Sequence, residues 1–427
     1  MVIHIVRRGD TIYSIARNYG VTEADIINAN KIQSPNQLVL GQSLIIPAKE
    51  RTYRVNPGDT IWSISRRFLV PPERILELNN ISSSDFIYPG QVLRIPEKER
   101  AYGDIEVNAF IQPSTEEREK SVLSESIQYL TYVSPFSYHV NKDGSLTPLK
   151  DENILAIARE NKVAPMLSIS NISGANFDTQ LISDILKNDE LQKTLINNIL
   201  NVLKAKNYYG VIIDFERIPP NQREDYNNFL RKLKMAISAS YKLSAALAPK
   251  TYDAKEGSWH GAHDYKTIGD IVDFVIIMTY EWGWSGGPPM AVAPVNEVEK
   301  VIRYAVSVID PKKIMMGVPY YGYDWTLPYT PGGEFAESIG NVEAIDRARR
   351  YGAEIKYDIK SKSPYYTYLD QNGREHVVWF EDVRSIERKA DLVRRYGLKG
   401  VSYWALGRPF PQNWEALDRL FKIKKLY

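Results

Sequence analysis

Cysteine is missing altogether from the 427-residue sequence. Its absence excludes disulfide bonds, thiolate metal sites and thiol nucleophiles. An excess of one charge is missing too, because 54 basic residues against 52 acidic ones leave a net charge of +2. Proteins whose affinity rests on nucleic-acid phosphates carry a clear basic excess, so we expect no nucleic-acid partner.

Long hydrophobic runs are also missing. Arg7, Arg8, Asp10 and Arg17 interrupt the apolar N-terminus, so we expect synthesis without a signal peptide. No stretch of about 18 uncharged apolar residues follows, and we expect no membrane partner. Hydrophobic residues nevertheless make up 44% of the chain and aromatic residues 11%, which is enough for sizeable cores in two or three domains.

A repeat with a constant offset occupies the first hundred residues. The sequence GDTI at 9–12 recurs at 58–61, and Asn30 recurs with the same offset as Asn79. A constant offset over nearly 50 residues indicates two duplicated modules.

Each repeated unit predicts the order strand, helix, helix, strand. In the first unit Ile12, Ile15 and Tyr19 fall on one face of a helix, for which we expect Asp10 as the N-cap. Short apolar runs at both ends of the unit predict the two strands.

The repeated units resemble the LysM family through the pattern V-x-x-GDT-I, the central Asn and the ending GQ-x-L-x-IP. The two copies cover residues 1–48 and 50–98. The resemblance implies βααβ modules that bind N-acetylglucosamine-containing glycans in a groove between the loop after the first strand and the loop before the last. It points to Asp10, Thr11, Ile12, Asn30, Ile32, Asp59, Thr60, Ile61, Asn79 and Ile81. For each of these residues, capping a helix or ordering a turn is the alternative role.

Beyond about residue 103, apolar runs alternate with amphipathic helical stretches. The eight runs lie at 105–111, 129–135, 164–170, 210–216, 243–248, 274–280, 314–320 and 400–404. Eight strand–helix units predict an α/β fold, a (β/α)8 TIM barrel over residues 103–427. The long interval between the seventh and eighth runs predicts a small α+β insertion at about 323–380. The polar residues 96–100 predict a tight linker between modules and barrel.

The run at 210–216 (GVIIDFE) brings two acids to one side of a strand. Side chains alternate along a strand, so Asp214 and Glu216 share a face with Ile212. Barrel enzymes place their catalytic groups at the C-terminal ends of strands. Like charges about 6–7 Å apart hinder each other's ionisation, so one pKa should rise. A carboxylic acid that is still protonated near neutral pH can act as a general acid.

Other runs also end in polar or aromatic residues that we expect near these acids. The candidates for substrate contact are Ser170, Asn171, Tyr280, Glu281, Trp282, Tyr321, Trp325 and Trp404. Aromatic rings around paired acids favour stacking against sugar faces, and barrel packing is the alternative for any single ring. His260 and His263 are three residues apart with no third ligand evident by spacing, so we expect no metal and no cofactor.

These motifs together resemble glycoside hydrolase family 18, the chitinase-like family. The resemblance rests on GVIIDFE at 210–216, MTY at 278–280, GVPYYG at 317–322 and Trp404. It implies retention of anomeric configuration by substrate assistance, in which the substrate's own 2-acetamido oxygen forms an oxazolinium ion. Carried over, Glu216 is the general acid and then the base. Asp214 orients the acetamide N–H, Tyr280 binds the acetamide oxygen, and Trp404 is the floor of the −1 subsite.

The sequence departs from the family pattern D-x-x-D-x-D-x-E at its first two acids, which are Tyr209 and Ile212 here. The interior carboxylate that normally supports the orienting Asp is therefore absent. Ser168, Ser170 or Asn171 on the neighbouring strand could take over its task.

The whole arrangement resembles the spore-cortex-lytic N-acetylglucosaminidases of endospore-forming bacteria. This implies a peptidoglycan hydrolase that cleaves β-1,4 bonds after N-acetylglucosamine in cortex glycan during germination. It also implies location at the spore cortex or coat, and we expect a monomer. The alternatives are a chitinase, a vegetative-wall glucosaminidase, a trimming enzyme for pre-cut fragments, and a wall-anchored carbohydrate-binding protein with an inactive barrel.

Overall fold

A computed structural model describes residues 1–82, 86–97 and 100–427. Two small modules precede one large barrel domain. Lys98 and Glu99, which belong to the predicted linker, lie outside the described residues. Within the described ranges, no helix combines the length and the hydropathy needed to cross a bilayer.

Each N-terminal module is a two-stranded antiparallel sheet with two helices packed against it. The elements are β1 (Val2–Ile5), α1 (Ile12–Tyr19), α2 (Glu23–Asn30) and β2 (Ser43–Ile46), then β3 (Glu50–Arg54), α3 (Ile61–Phe68), α4 (Pro72–Asn79) and β4 (Val92–Pro96). Val2 pairs with Ile46 in the first sheet, and Arg54 pairs with Val92 in the second. The βααβ prediction is confirmed for both modules.

The first helix begins one residue later than the sequence predicts. Thr11 is the N-cap of α1, because its hydroxyl accepts a hydrogen bond from the Ser14 backbone N–H at 3.0 Å. The Asp10 carboxylate instead accepts from the Arg7 backbone N–H at 2.7 Å and contacts His4 Nε2 at 2.8 Å. Asp10 as N-cap was therefore wrong: its carboxylate closes the turn that precedes the helix.

Eight parallel strands form the closed barrel, and the predicted TIM-barrel fold is confirmed. They are β5 (Asp104–Ile111), β6 (Tyr132–Pro135), β7 (Ala164–Ser170), β8 (Gly210–Asp214), β9 (Lys242–Leu247), β10 (Phe274–Ile277), β11 (Ile314–Pro319) and β12 (Gly400–Leu406). Neighbours in the barrel follow chain order, and β12 pairs with β5 to close it.

Helices surround the barrel, and short strands lie at its ends. The helices are α5 (Glu116–Ser126), α6 (Glu152–Glu160), α7 (Thr179–Lys187), α8 (Asp189–Ala205), α9 (Arg223–Ile237), α10 (Tyr265–Ile271), α11 (Val295–Val308), α12 (Asn341–Arg350), α13 (Val383–Tyr396) and α14 (Pro411–Leu420). The short strands are Tyr138–Val140, Leu146–Thr147, Ile172–Ser173, Asn176–Phe177 and Lys422–Ile423.

An antiparallel sheet lies between β11 and β12 on the same end of the barrel as the strand C-termini. Its five strands are Gly322–Thr326, Glu337–Ile339, Lys356–Asp358, Ser363–Leu369 and Glu375–Trp379, and α12 packs with them. This lobe agrees with the α+β insertion that the sequence predicts at this place.

The barrel interior below the strand ends combines buried polar side chains, such as Asn108, Ser134 and Ser402, with a cluster of apolar ones. The apolar side chains come from alternate positions of the strands: Phe110, Tyr132, Ala164, Met166, Ile212, Phe274, Ile276 and Met315. Val211, Ile213 and Phe215 point the other way and pack against the helices. Any charged group that the strands carry above the apolar cluster is therefore placed over a medium that solvates charge poorly.

Candidate active site

Two carboxylates lie where β8 ends. Asp214 is the last residue of the strand and pairs in register with Ser170 of β7. Glu216 lies two residues further on, and both side chains are buried. The strand is two residues shorter than predicted, because side chains rather than a neighbouring strand hold the backbone of Glu216.

Two buried residues, Asn171 and His263, form hydrogen bonds with the backbone of Glu216 and of the preceding residue. The Asn171 amide donates to the Glu216 carbonyl at 2.9 Å and accepts from the Glu216 N–H at 3.0 Å. His263 Nε2 lies 3.1 Å from the Phe215 carbonyl. Asn171, a residue expected to contact substrate, uses its amide to bond the backbone of Glu216.

The His263 ring is neutral and has one defined tautomer. The Ala248 backbone N–H donates to Nδ1 at 2.9 Å, so Nε2 carries the proton and donates to the Phe215 carbonyl. Burial lowers the pKa of His263 to about 4. The histidine thereby joins the end of β9 to the peptide between the two carboxylates.

Burial dominates the electrostatics of the acid pair. Burial raises the pKa of Asp214. Burial first, and the nearby charge of Asp214 second, raise the pKa of Glu216. A hydrogen bond from the Trp259 side chain and the charge of Arg217 act in the opposite direction and are weaker. The pair therefore holds a proton at pH values where an ordinary carboxyl group is ionised.

One oxygen of Asp214 is an acceptor without a donor. Within the described part of the chain, Oδ1 is buried and has no hydrogen-bond partner. Ser168 and Ser244 lie opposite Ile212 in the neighbouring strands, and their hydroxyls are also unpartnered there. The Ser170 hydroxyl bonds that of Ser137 at 2.8 Å. Buried acceptors in proteins normally have a hydrogen-bond donor, and a ligand with an N–H or O–H group supplies that donor here.

Tyr280 follows β10 and lies close enough to the acid pair for both carboxylates to act on it. Burial, followed by the charges of Asp214 and Glu216, raises its pKa well above the usual range, so the phenol keeps its proton. A side chain at Gly317 does not fit, because a Cβ there would lie 2.8 Å from the Tyr280 ring and 2.6 Å from the Ile277 carbonyl. The glycine of the GVPYYG motif thus makes room for this ring.

Glu281 is tied to the inserted lobe. The hydroxyl of Tyr321 donates to its carboxylate, and that of Tyr323 does so at 3.0 Å. Trp325 is fully buried and donates from its indole N–H to the Gly287 carbonyl at 2.9 Å. Of the predicted contact residues, Glu281, Tyr321 and Trp325 thus fasten the lobe to the β10 loop.

Trp404 and Trp282 are half-buried beside this network. The Trp404 ring packs edge-on against Phe136 and Phe110 at the end of β12. Sequence reasoning missed Trp259, whose half-exposed ring reaches Glu216 from the loop after β9. An aromatic residue in a loop that follows a barrel strand was the available indication.

The glycan-binding residues predicted in the modules lie at the expected loops. Thr11 and Thr60 cap helices, and Asp59 closes a turn as Asp10 does. Asn30 donates to the Ile45 carbonyl at 2.8 Å, and its counterpart Asn79 bonds strand β4 in the same way. Ile12 is buried, whereas Ile32, Ile61 and Ile81 are half-buried. The polar side chains of this set therefore shape the loops around the groove.

Among the described residues, no cluster of three or more His, Asp or Glu side chains is placed to hold a metal ion. Paired buried carboxylates at the C-terminal ends of barrel strands, ringed by tyrosine and tryptophan, define a barrel enzyme that does acid–base chemistry.

Comparison with known proteins identifies the family. Residues 109–408 match glycosyl hydrolases family 18, and residues 4–47 and 53–96 each match the LysM domain. The chain belongs to glycosyl hydrolase family 18, is a glycosidase, and carries two LysM domains before its catalytic barrel.

Full-length relatives share this arrangement. The chain is 46% identical to a cortical fragment-lytic enzyme of Bacillus cereus, over 98% of each protein. It is 44% identical to that of Bacillus subtilis, over 100% of this chain and 99% of the relative. The crystal structure of the Bacillus cereus spore cortex-lytic enzyme SleL superposes with a TM-score of 0.89 at 41% identity, over 99% of this chain and 98% of SleL.

The raised pKa of Glu216 can be measured directly. In the protein with 13C-labelled glutamate carboxyl groups, we expect the Glu216 resonance to titrate well above the ordinary midpoint of about 4.3. Asp214→Asn removes the neighbouring negative charge and should move this midpoint to lower pH. NMR titration measures both values, with Glu216→Gln to assign the resonance. A midpoint that stays put in Asp214→Asn would contradict coupling between the two carboxyl groups.

His263 should act as a positioning residue. His263→Ala leaves the Ala248 N–H and the Phe215 carbonyl unpaired, and we expect kcat on a soluble oligosaccharide to fall about 10- to 100-fold with little change in KM. His263→Gln keeps a donor and an acceptor and should recover part of the loss. His260→Ala, in the same loop, is the control. Equal losses in His263→Ala and His263→Gln, or a loss confined to KM, would argue against positioning.

Proposed function

We propose that this glycosidase is a peptidoglycan hydrolase that cleaves β-1,4 bonds after N-acetylglucosamine in spore cortex glycan. The names of the Bacillus cereus and Bacillus subtilis relatives describe enzymes that lyse cortical fragments, and identity extends over the whole chain. Action at the spore cortex during germination follows from the same likeness. We also propose that the enzyme acts as a monomer.

The buried, unpartnered Oδ1 of Asp214 carries the proposal for the mechanism. An acetamido group at C2 of the sugar offers the N–H donor that this oxygen lacks. Glu216, protonated because its pKa is raised, donates its proton to the glycosidic oxygen as the bond from C1 to that oxygen breaks. The acetamide oxygen forms a bond to C1 in the same step, and the product is an oxazolinium ion.

The second step returns the enzyme to its starting state. The Glu216 carboxylate takes a proton from a water molecule, whose oxygen forms the new bond to C1. The bond between C1 and the acetamide oxygen breaks, so the ring opens with retained configuration. Asp214 stabilises the positive charge of the oxazolinium ion, and the Tyr280 hydroxyl donates to the acetamide oxygen. Trp404 supplies the apolar floor under the sugar.

The LysM domains add glycan affinity to this chemistry. A bound module raises the effective concentration of substrate around the barrel without any new contact at the carboxylates. We propose this contact at the loops of the second module that Asp59 and Asn79 shape.

Glu216→Gln tests the proposed acid together with the substrate. We expect turnover of purified cortex fragments to fall by about two to four decades, while binding to the glycan persists. Mass spectrometry of reduced products should find new N-acetylglucosamine ends with the wild type and few with the variant. Glu224→Gln, which alters an exposed carboxylate on α9, is the matched control.

Three outcomes of this experiment would contradict the proposal. New muramic-acid ends would mean that the other glycosidic bond is cut. Cleavage of chitin oligomers with intact cortex fragments would identify a chitinase. Bound glycan with no new ends on either substrate would identify a carbohydrate-binding protein with an inactive barrel.

A further inference from the structure

The two LysM modules differ at residues that the repeat makes directly comparable. Residue n of the first module corresponds to residue n + 49 of the second, as Gly9 does to Gly58. The N-cap of the first helix, the turn carboxylate and the central asparagine keep both identity and geometry across this offset. The differences that change burial lie on the outer face of the last strand and in the loop before it.

In the first module these positions are built into the barrel domain. Ile45 is fully buried and belongs to the hydrophobic core of the barrel. Val39 is 5% exposed and packs with residues of α12 and the inserted sheet. Removing such side chains from water stabilises the interface. The hydrophobic effect thus holds the first module on the barrel domain, as it holds the barrel core together.

Polar contacts fix the orientation of this interface. Ser43 Oγ donates to the Asp382 carboxylate at the start of α13, at 2.9 Å. Gln412 of α14 donates to Asn30 Oδ1 at 2.7 Å and to the Ser43 carbonyl at 2.9 Å. All four residues are buried. Asn30, a residue predicted to bind glycan, is therefore also a contact to the barrel.

The loop before β2 approaches the inserted lobe at backbone distance. The Ile355 backbone N–H donates to the Leu40 carbonyl at 2.9 Å. At Gly41, which has φ +78°, an added Cβ would lie 1.8 Å from the Ile355 carbonyl oxygen. Only glycine fits at this contact.

The crevice that Asn30 and Ile32 line is smaller than an ordinary ligand pocket. It has a volume of about 70 Å³ and lies between the loop before β2 and the α12 and α14 surfaces. Ligand pockets typically enclose about 300–1,000 Å³. Two of the five positions at which the first module was expected to bind glycan therefore face the barrel domain.

The second module exposes the equivalent positions. Tyr88, which corresponds to Val39, is 65% exposed. Arg94 corresponds to Ile45, lies on the outer face of β4 and pairs with Glu50 across the module's own sheet. Within the described chain, β3 and β4 form no hydrogen bond or ion pair with the barrel. The Met1 amino group instead joins the first module to Glu97 at 2.9 Å.

Two aromatic rings of the second module are exposed, one after its first strand and one before its last. Trp62, at the start of α3, is 64% exposed, and Phe86, in the loop before β4, is 80% exposed. Gln37 occupies the position of Phe86 in the first module, and it bonds Arg349 of α12 at 2.9 Å. Large exposed aromatic surfaces on so small a module are suited to stacking on the apolar faces of sugar rings.

We propose that the two LysM modules have different roles. The second module binds the glycan strand through Trp62, Phe86 and Tyr88, whereas the first is a fixed spacer that belongs to the barrel domain. This inference rests on the proposed function, since it takes the ligand to be peptidoglycan glycan. The spacer sets the distance between the captured strand and the carboxylates.

Matched aromatic variants test the capture role. In the full-length Glu216→Gln background, which keeps the glycan intact, we expect Trp62→Ala to weaken binding to purified cortex peptidoglycan about tenfold. That is the change that about 1.4 kcal/mol of lost stacking produces. Tyr13→Ala changes the corresponding exposed residue of the first module and should stay within twofold of the parent. Sedimentation with insoluble cortex measures both affinities.

Three results would overturn the division of work. They are equal losses of glycan affinity in Trp62→Ala and Tyr13→Ala, a loss of affinity in Tyr13→Ala alone, and unchanged affinity in the double variant of Trp62→Ala with Phe86→Ala. Failure of the proposed function is distinguishable, because then the wild-type chain neither binds nor cleaves cortex glycan.

A matched glycine pair tests the spacer role. Gly41→Ala and Gly90→Ala both place alanine at positive φ, but an added Cβ at Gly90 meets only Arg54 Nη1, at 4.0 Å. Thermal unfolding should therefore shift down further in Gly41→Ala, by at least about 2–4 °C, and limited proteolysis should release the first module. Equal Tm shifts with an intact chain would contradict a first module that is built into the barrel domain.

Discussion

The site depends on one constraint, the burial of two carboxylates above a barrel floor where apolar side chains surround Ile212. A buried carboxylate that lacks a cationic partner is costly to ionise, so the pair keeps a proton at neutral pH. The floor is set by Ile212, which sits among phenylalanine, methionine and isoleucine side chains. The interior acid of the family pattern is absent at this position. Proton retention by Asp214 and Glu216 therefore comes from burial and from their mutual repulsion.

The same constraint explains the shape of the surroundings. Glu216 lies beyond the last paired residue of β8, so no strand holds its peptide groups. Asn171 takes over that task from the end of β7, and His263, which bonds the end of β9, does so from the loop before α10. Both act on the backbone and leave the carboxylate oxygens to the solvent-facing side, where Trp259 reaches them. The acid is rigidly placed while its proton stays available.

Much of this was predictable from the sequence because it is local. The offset of the repeat, the eight apolar runs and the two acids of GVIIDFE depend on residues close together in the chain, and the structure places them as expected. The roles of Asn171 and His263 were not accessible, since they depend on contacts 45 and 48 residues away. No spacing rule encodes which side chain will meet a strand end.

The docking of the first module on the barrel domain was only partly predictable from the sequence. Its hydrogen bonds link residues more than 300 positions apart, which no periodicity reveals. An alignment of the two repeats, however, places Ile45 against Arg94 and Val39 against Tyr88. An apolar residue on the outer face of one copy and a charged one on the other was a visible indication that only one copy is covered.

The central claim is that Asp214 Oδ1 accepts a hydrogen bond from the acetamide N–H of the substrate. A crystal structure with a thiazoline analogue of the oxazolinium ion tests this claim most directly. We predict competitive inhibition, with Asp214 Oδ1 accepting a hydrogen bond from the protonated ring nitrogen and the ring sulfur near Tyr280. A thiazoline that neither inhibits nor binds, or one that binds with Asp214 Oδ1 still unpartnered, would contradict substrate assistance and favour an ordinary two-carboxylate mechanism.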